Sequence, residues 1–187
     1  MTRRAVLLLF LIGLLLVPTR AQAQQPHAAC PQLPANLHVA NSYRAWMMDL
    51  IARSPTLGRQ CEVITSASHV QIYLESSRHL TGCCRARANF TRDGRSIHVV
   101  IEIPMTADFP ELLAHELEHV VEQIEGVNLR AMAGTPRSGV REVGTNVYET
   151  SRATRAGRAA AGETRTCLNA GQFDCGRGAP LMVAAKD

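Results

Sequence analysis

"LLAHELEHVVEQ", residues 112–123, sets two histidines and three glutamates within the eight positions from His115 to Glu122. Leu113, Leu117, Val120, Val121 and, just beyond, Ile124 recur at helical spacing and form one apolar stripe. The boundary signals agree: Thr106 or Asp108 can cap the start, Pro110 suits the first turn, and Gly126 stands where the chain must leave. A helix here puts His115 and His119, four residues apart, on one face with their rings pointing the same way. Two imidazoles so placed can reach one zinc ion at about 2.0–2.1 Å. Glu116, beside the metal rather than on it, can then take a proton from water that the metal acidifies. The His-Glu-x-x-His pattern gains weight from its helical context and from the strand-like segment before it.

A catalytic zinc takes three protein ligands and keeps one position for water. No histidine follows His119, so a downstream third ligand is a carboxylate: Glu122, Glu125, Glu142, Glu149 or Glu163. Glu122 is too close on the same helix to complete a tetrahedron with both histidines. Glu125 falls where the metzincin pattern has its last ligand, but that pattern needs a glycine in the place of Glu122. Glu142 lies in a loop-like stretch after "GTPRSG" (134–139). Glu149 falls early in "NVYETSRATRAGRAAAG" (146–162), which reads as a second helix whose Ala153, Ala156 and Ala160 allow close packing on the first. Glu149 is therefore the first choice and Glu142 the second. The spacing Asn146-x-x-Glu149 also fits a capping box, in which Glu149 would reach back to its own helix terminus. Arg152, Arg155 and Arg158 read as the solvated face of that helix.

Upstream, "NSYRAWMMDLIARSP" (41–55) reads as a core-facing helix carrying Tyr43, Trp46, Met47, Leu50 and Ile51, ended by Ser54-Pro55. "HVQIYLES" (69–76) and "RSIHVVIEIP" (95–104) alternate as strands, with "RDGR" (92–95) as a tight turn and "RARANF" (85–90) as a partner strand. The expected fold class is α+β: a small sheet, antiparallel or mixed, packed on the motif helix and a following glutamate-bearing helix.

The N-terminus has a basic start at Arg3 and Arg4, an apolar run from Ala5 to Val17, and small residues at Ala21-Gln22-Ala23. That is the layout of a secretory signal peptide cleaved after Ala23. The apolar run is well short of the about 20 residues that span a bilayer. The expected organisation is a signal peptide (1–23), a flexible lead-in (24–40), one domain (41–165) and a loosely held C-terminal tail (166–187). The product would be secreted or periplasmic, with no stable membrane anchor after cleavage. Cleavage removes three of the 20 basic side chains and none of the 16 acidic ones. The near-neutral remainder makes no case for nucleic acid as a partner. All six cysteines lie in the exported part, and an even count there suggests disulfides. Cys83 and Cys84 are adjacent and call for different partners; Cys61 with one of them and Cys167 with Cys175 are the expected pairs. Without a Cys-x-x-Cys pair, a cysteine-ligated zinc is disfavoured.

"LLAHELEHVVEQIEGV" (112–127), followed by "YETSRATRAGR" (148–158), resembles a group of small exported bacterial zincin-like proteins. The likeness runs from roughly Tyr43 to Arg158 and includes "RSPTLGRQC" (53–61). In outline it is similar to gluzincin metallopeptidases, whose third ligand is a glutamate on a later helix. The resemblance implies His115, His119 and Glu149 as zinc ligands, Glu116 as the base, and a peptide or protein as substrate. It also implies that Ile97–Ile103 is an edge strand lining the cleft, to which substrate adds as a further strand. The chain departs from the pattern in having no recognisable downstream His or Tyr for the oxyanion, Tyr148 being the nearest candidate, and little material for a second substrate-binding lobe. The expected function is a secreted or periplasmic zinc-dependent metallopeptidase. The alternative is a catalytically inactive zincin-fold protein that keeps the metal for a binding or structural role.

Overall fold

The computed structural model describes residues 30–77, 80 and 85–169. The signal-peptide reading, Cys83, Cys84, Cys175 and the side chain of Cys167 lie outside the described residues, so the Cys167–Cys175 pairing does too. In chain order the elements are β1 (Leu37–His38), α1 (Asn41–Arg53), α2 (Pro55–Ser66), β2 (Val70–Ser76), β3 (Arg87–Asp93) and β4 (Ser96–Ile103). They continue with α3 (Phe109–Ile124), α4 (Leu129–Ala133), β5 (Val140–Gly144), β6 (Val147–Thr150) and α5 (Ser151–Asn169). The class is α+β.

The four-stranded sheet is mixed, in the order β1-β2-β4-β3. β2 and β4 run parallel, in register from Val70 opposite Ile97 to Ser76 opposite Ile103, while β3 returns antiparallel on the far side of β4. Composition explains the order. In β4, Ile97, Val99, Ile101 and Ile103 are buried and Val100 and Glu102 are half-buried, as suits an interior strand. β3, "RANFTRD", is polar and largely exposed, as suits an edge. The segment Ile97–Ile103 is therefore an interior strand, and the edge beside α3 is β3. Gly94, in the two-residue turn between them, takes a positive φ of 56°.

Val70, Ile72, Val99 and Ile101 form an apolar face continuous with Leu113, Leu117 and Val120 of α3 in one core. Trp46 of α1 packs on Phe109 at the start of α3, ring centroids 4.5 Å apart. α2 was not among the expected elements, although Leu57, Cys61 and Ile64 stand at helical spacing and all are buried. Ser54, which ends α1, also starts α2: its hydroxyl accepts the Leu57 N–H at 3.1 Å, and Pro55 takes the first turn.

The segment 30–40, read as part of a flexible lead-in, belongs to the fold. Leu33 and Leu37 are buried, and the Asn36 amide nitrogen lies 2.9–3.0 Å from the carbonyls of Ile64, Ala67 and Val70. Cys61 is bonded to Cys30, not to Cys83 or Cys84, because α2 turns Cys61 towards this segment with the two Cα atoms 6.1 Å apart.

α5 lies against α3 through Ala153, Ala156 and Ala160, all buried. At Gly157 the approach is closest: a Cβ there would stand 2.8 Å from the Glu111 carbonyl oxygen and 3.4 Å from the His115 Cβ. The stretch between the two helices is not simply loop. It forms α4 and the β5–β6 hairpin, in which Asn146 turns the chain with φ 59°. Val147 and Tyr148, read as the opening of the second helix, are strand residues, and the helix begins only at Ser151. Thr150 takes the role expected of Asn146, its hydroxyl accepting the Ala153 N–H at 2.9 Å. Among the described residues no helix is long and apolar enough to cross a membrane.

Candidate metal centre

α3 delivers His115 and His119 to one face, where the rings meet edge to face with centroids 5.0 Å apart. Glu149 comes to them from β6, and one donor atom from each of the three lies within 4.8 Å of the others. His115 Nε2 and Glu149 Oε2 are 3.2 Å apart. Two ligands of a tetrahedral ion with bonds of about 2.0–2.1 Å stand roughly 3.3 Å from each other, so this separation fits a shared ion. His119 is buried and the other two are half-buried, and two imidazoles with a carboxylate are donors that could hold a divalent metal. Among the described residues this is the one cluster of its kind.

Glu149, the first choice for a third ligand, is thus the carboxylate brought to the two histidines, but on a different support. The expected later helix starts two residues too late, and Glu149 projects from a strand opposite Arg141. The capping-box reading falls with it. The other candidates have separate occupations. Glu142 accepts the Asn146 N–H within the hairpin turn at 3.1 Å. Glu125 pairs with Arg152. Glu163 accepts from the Thr56 hydroxyl at 2.8 Å and its N–H at 3.2 Å, across the start of α2. Arg152 is not simply a solvated residue, since its Nε also donates to buried Glu118 at 2.6 Å.

Glu116 is only 6% exposed. Burial raises its carboxyl above the ordinary range, and Glu149 adds to this; His119, His115 and a backbone hydrogen bond from Ala88 pull the other way. Burial opposes a charge on His115, yet its hydrogen bond to Glu149 and the nearby carboxylates of Glu116, Glu149 and Glu122 outweigh that and raise it. Glu149 is held below the usual carboxylate range, first by its hydrogen bond to His115 against the pull of burial, then by the charges of His115, His119 and Arg141.

Glu122, set aside as a ligand, has a place in the site that sequence reasoning missed. Its Oε2 lies 3.0 Å from His119 Nδ1, and its Oε1 accepts the Thr150 hydroxyl at 2.7 Å. Spacing could have signalled the first contact, because a residue three beyond His119 shares its face. The second depends on the hairpin.

The cluster opens into a cleft of ≈ 650 Å³, with Ala88 and Phe90 of β3 on one side and Val147, Tyr148 and Glu149 of β6 on the other. Glu116 and His119 form part of its lining. No protein-family model matches the chain, and no curated protein or solved structure matches it either.

Proposed function

We propose that this chain is an exported zinc-dependent metallopeptidase of zincin type, with His115, His119 and Glu149 as the ligands and Glu116 as general base. The observation that carries the reading is the arrival of Glu149 from a separate element, 3.2 Å from His115, with Glu116 buried beside them at an open cleft. When bound, zinc supplies Lewis acidity, making water easier to deprotonate and a carbonyl easier to attack. Glu116 takes the proton: its burial makes it a better base than an exposed carboxylate, and the same group can pass the proton to the leaving amine.

The edge strand β3 supports a peptide as the substrate. Among the described residues no strand pairs with the outer side of β3 along Ala88, Asn89 and Phe90, which line the cleft, so an extended chain can add to it there. Phe90 and Val147, 37% and 50% exposed, offer apolar contact to substrate side chains on the two sides. Tyr148, in the same lining, is the candidate donor to the developing oxyanion. Export follows from the signal layout, and the Cys30–Cys61 bridge is consistent with an oxidising compartment.

The test is the zinc content of the purified, oxidised protein. About one zinc per chain is expected, with sharply weaker binding in Glu149→Gln. Glu116→Ala should keep the metal and lose peptide hydrolysis by at least about 10²-fold. Absence of zinc in the parent protein after it is offered at neutral pH sinks the reading. Zinc binding without any hydrolysis leaves a metal-binding protein of the same fold.

A further inference from the structure

Glu122 is 2% exposed, and a carboxylate held that deep is costly unless both oxygens have partners. Its partners belong to opposite sides of the candidate metal centre. Oε2 faces His119 Nδ1 at 3.0 Å, so the carboxylate bears on the second histidine ligand through the nitrogen that is not needed for an ion. Oε1 accepts from the hydroxyl of Thr150, the residue after Glu149, at 2.7 Å. The same hydroxyl oxygen accepts the Ala153 N–H at 2.9 Å, which ties the start of α5 into the contact. His119 and Thr150 are themselves 8% and 4% exposed, so little water competes for any of these bonds.

We infer that Glu122 is a positioning residue of the site, acting on two of the three ligands at once. Towards α3 it holds His119 as the Nδ1–H tautomer and leaves Nε2 for the ion. Towards β6 it anchors the residue next to Glu149, and so sets how closely that carboxylate approaches the two histidines. The pattern that matters is then His-Glu-x-x-His-x-x-Glu, with the last glutamate orienting rather than ligating. A carboxylate accepting from the far side of a ligating imidazole fixes the ring and makes the ligating nitrogen more basic, and losing such a partner costs about 10–100-fold in metal affinity. The role in metal binding rests on the metal-centre reading; the tautomer assignment does not.

The experiment compares the oxidised parent protein with Glu122→Gln, Glu122→Leu and Thr150→Val in two measurements. The first is the pattern of ring ¹H–¹⁵N correlations of metal-free protein at pH 8, which reports the tautomer of each histidine. The parent should show His119 protonated on Nδ1. Glu122→Gln should keep that form, since the amide oxygen still accepts, and Glu122→Leu should lose it. A purely structural role would not move this signal selectively at His119. The second is zinc affinity by competition with a chelator of known strength. Affinity should fall about tenfold in Glu122→Gln and up to about 100-fold in Glu122→Leu. Thr150→Val should fall less, with the tautomer unchanged. If Glu122→Leu does not fold, Glu122→Gln and Thr150→Val decide through zinc affinity. A His119 protonated on Nε2 in the parent protein overturns the inference, as does unchanged zinc affinity in Glu122→Gln. A parent protein that binds no zinc overturns the metal reading and the affinity role; the first measurement still decides the tautomer assignment.

Discussion

The helix α3 carries two buried acidic regions that solve the same electrostatic problem differently. Glu118 is 1% exposed and fully provided for: Arg59 and Arg152 pair with it, and the Gln60 amide donates to it at 2.6 Å. Two residues before it and one turn after it, Glu116 and Glu122 are nearly as buried, but what they face is histidine, a threonine hydroxyl and a further carboxylate. Arginine is always charged, so the Glu118 group is compensated as it stands. The other group has two imidazoles and a hydroxyl in place of a permanent cation, and the three carboxylates gathered there have acceptor capacity that a metal cation would use. Two neighbouring positions on one helix thus separate a self-sufficient brace from a site built for something else.

The sharpest way to break this contrast is to strip the brace of its cations. Arg59→Met with Arg152→Met leaves the Glu118 carboxylate buried with only Gln60 beside it, and an uncompensated buried charge costs about 3–5 kcal/mol. Urea denaturation should show a loss of that order. Zinc stoichiometry of the protein that remains folded should not change; if it does, the two regions are one network. A smaller effect is expected where α5 crosses beneath His115. Gly157→Ala gains up to about 1 kcal/mol in helix propensity, but places a methyl 2.8 Å from a backbone oxygen, and overpacking of that kind costs about 1–3 kcal/mol. Net destabilisation of about 1 kcal/mol is expected, with weaker zinc binding because the Glu111 backbone, one turn before His115, must give way. Gly58→Ala in α2, where the added Cβ would stand 3.9 Å from the Ile51 carbonyl oxygen in ordinary van der Waals contact, is the control and should be neutral or stabilising. Equal stability of the two variants would mean that α5 can shift away without cost.

How much of this was legible beforehand depended on how local the determinants were. The motif helix was, since its stripe, its proline and its terminal glycine are all contained in or beside Phe109–Gly126. Elimination narrowed the third carboxylate to a few residues, and Glu149 was preferred over Glu142 for a place on a helix that it does not have. Its support was not legible, because Val147 and Tyr148 form a strand only when β5 lies alongside, and no feature within 146–150 announces that partner. The parallel pairing of β2 with β4 is nonlocal in the same way, and the second face of β4, with His98 and Glu102 beside Val100, does not announce an interior strand. α2 carried local signals, a serine cap, a proline and Leu57-Cys61-Ile64 spacing, that could have been read. The Cys30 pairing could not, because six cysteines allow 15 connectivities and spacing does not choose among them. Glu122 was visible as a residue and rejected as a ligand on sound geometry; the contact that gives it a role comes from Thr150, on an element not foreseen.

The smallest effect tests the exposed margin of the arginine-braced region. Arg152 also holds the Glu125 carboxyl below the ordinary range, chiefly by hydrogen bonding and against the opposing pull of burial, with its charge and that of Arg59 adding to the effect. A carboxyl lowered on folding stabilises the protein above its unfolded value, near pH 4.5, and that contribution disappears as pH falls through the lower folded value. Glu125→Gln should therefore be less stable than the parent at pH 7, and the gap should close on acidification below pH 4.5. With the glutamate side chain 40% exposed, the gap belongs with surface pairs, at about 0–1 kcal/mol, and should shrink in high salt. Urea midpoints of both proteins at pH 7 and pH 3, with and without zinc, measure it. A gap that follows zinc rather than pH would show that the arginine brace and the histidine cluster exchange charge across α3, and the division between them would have to be abandoned.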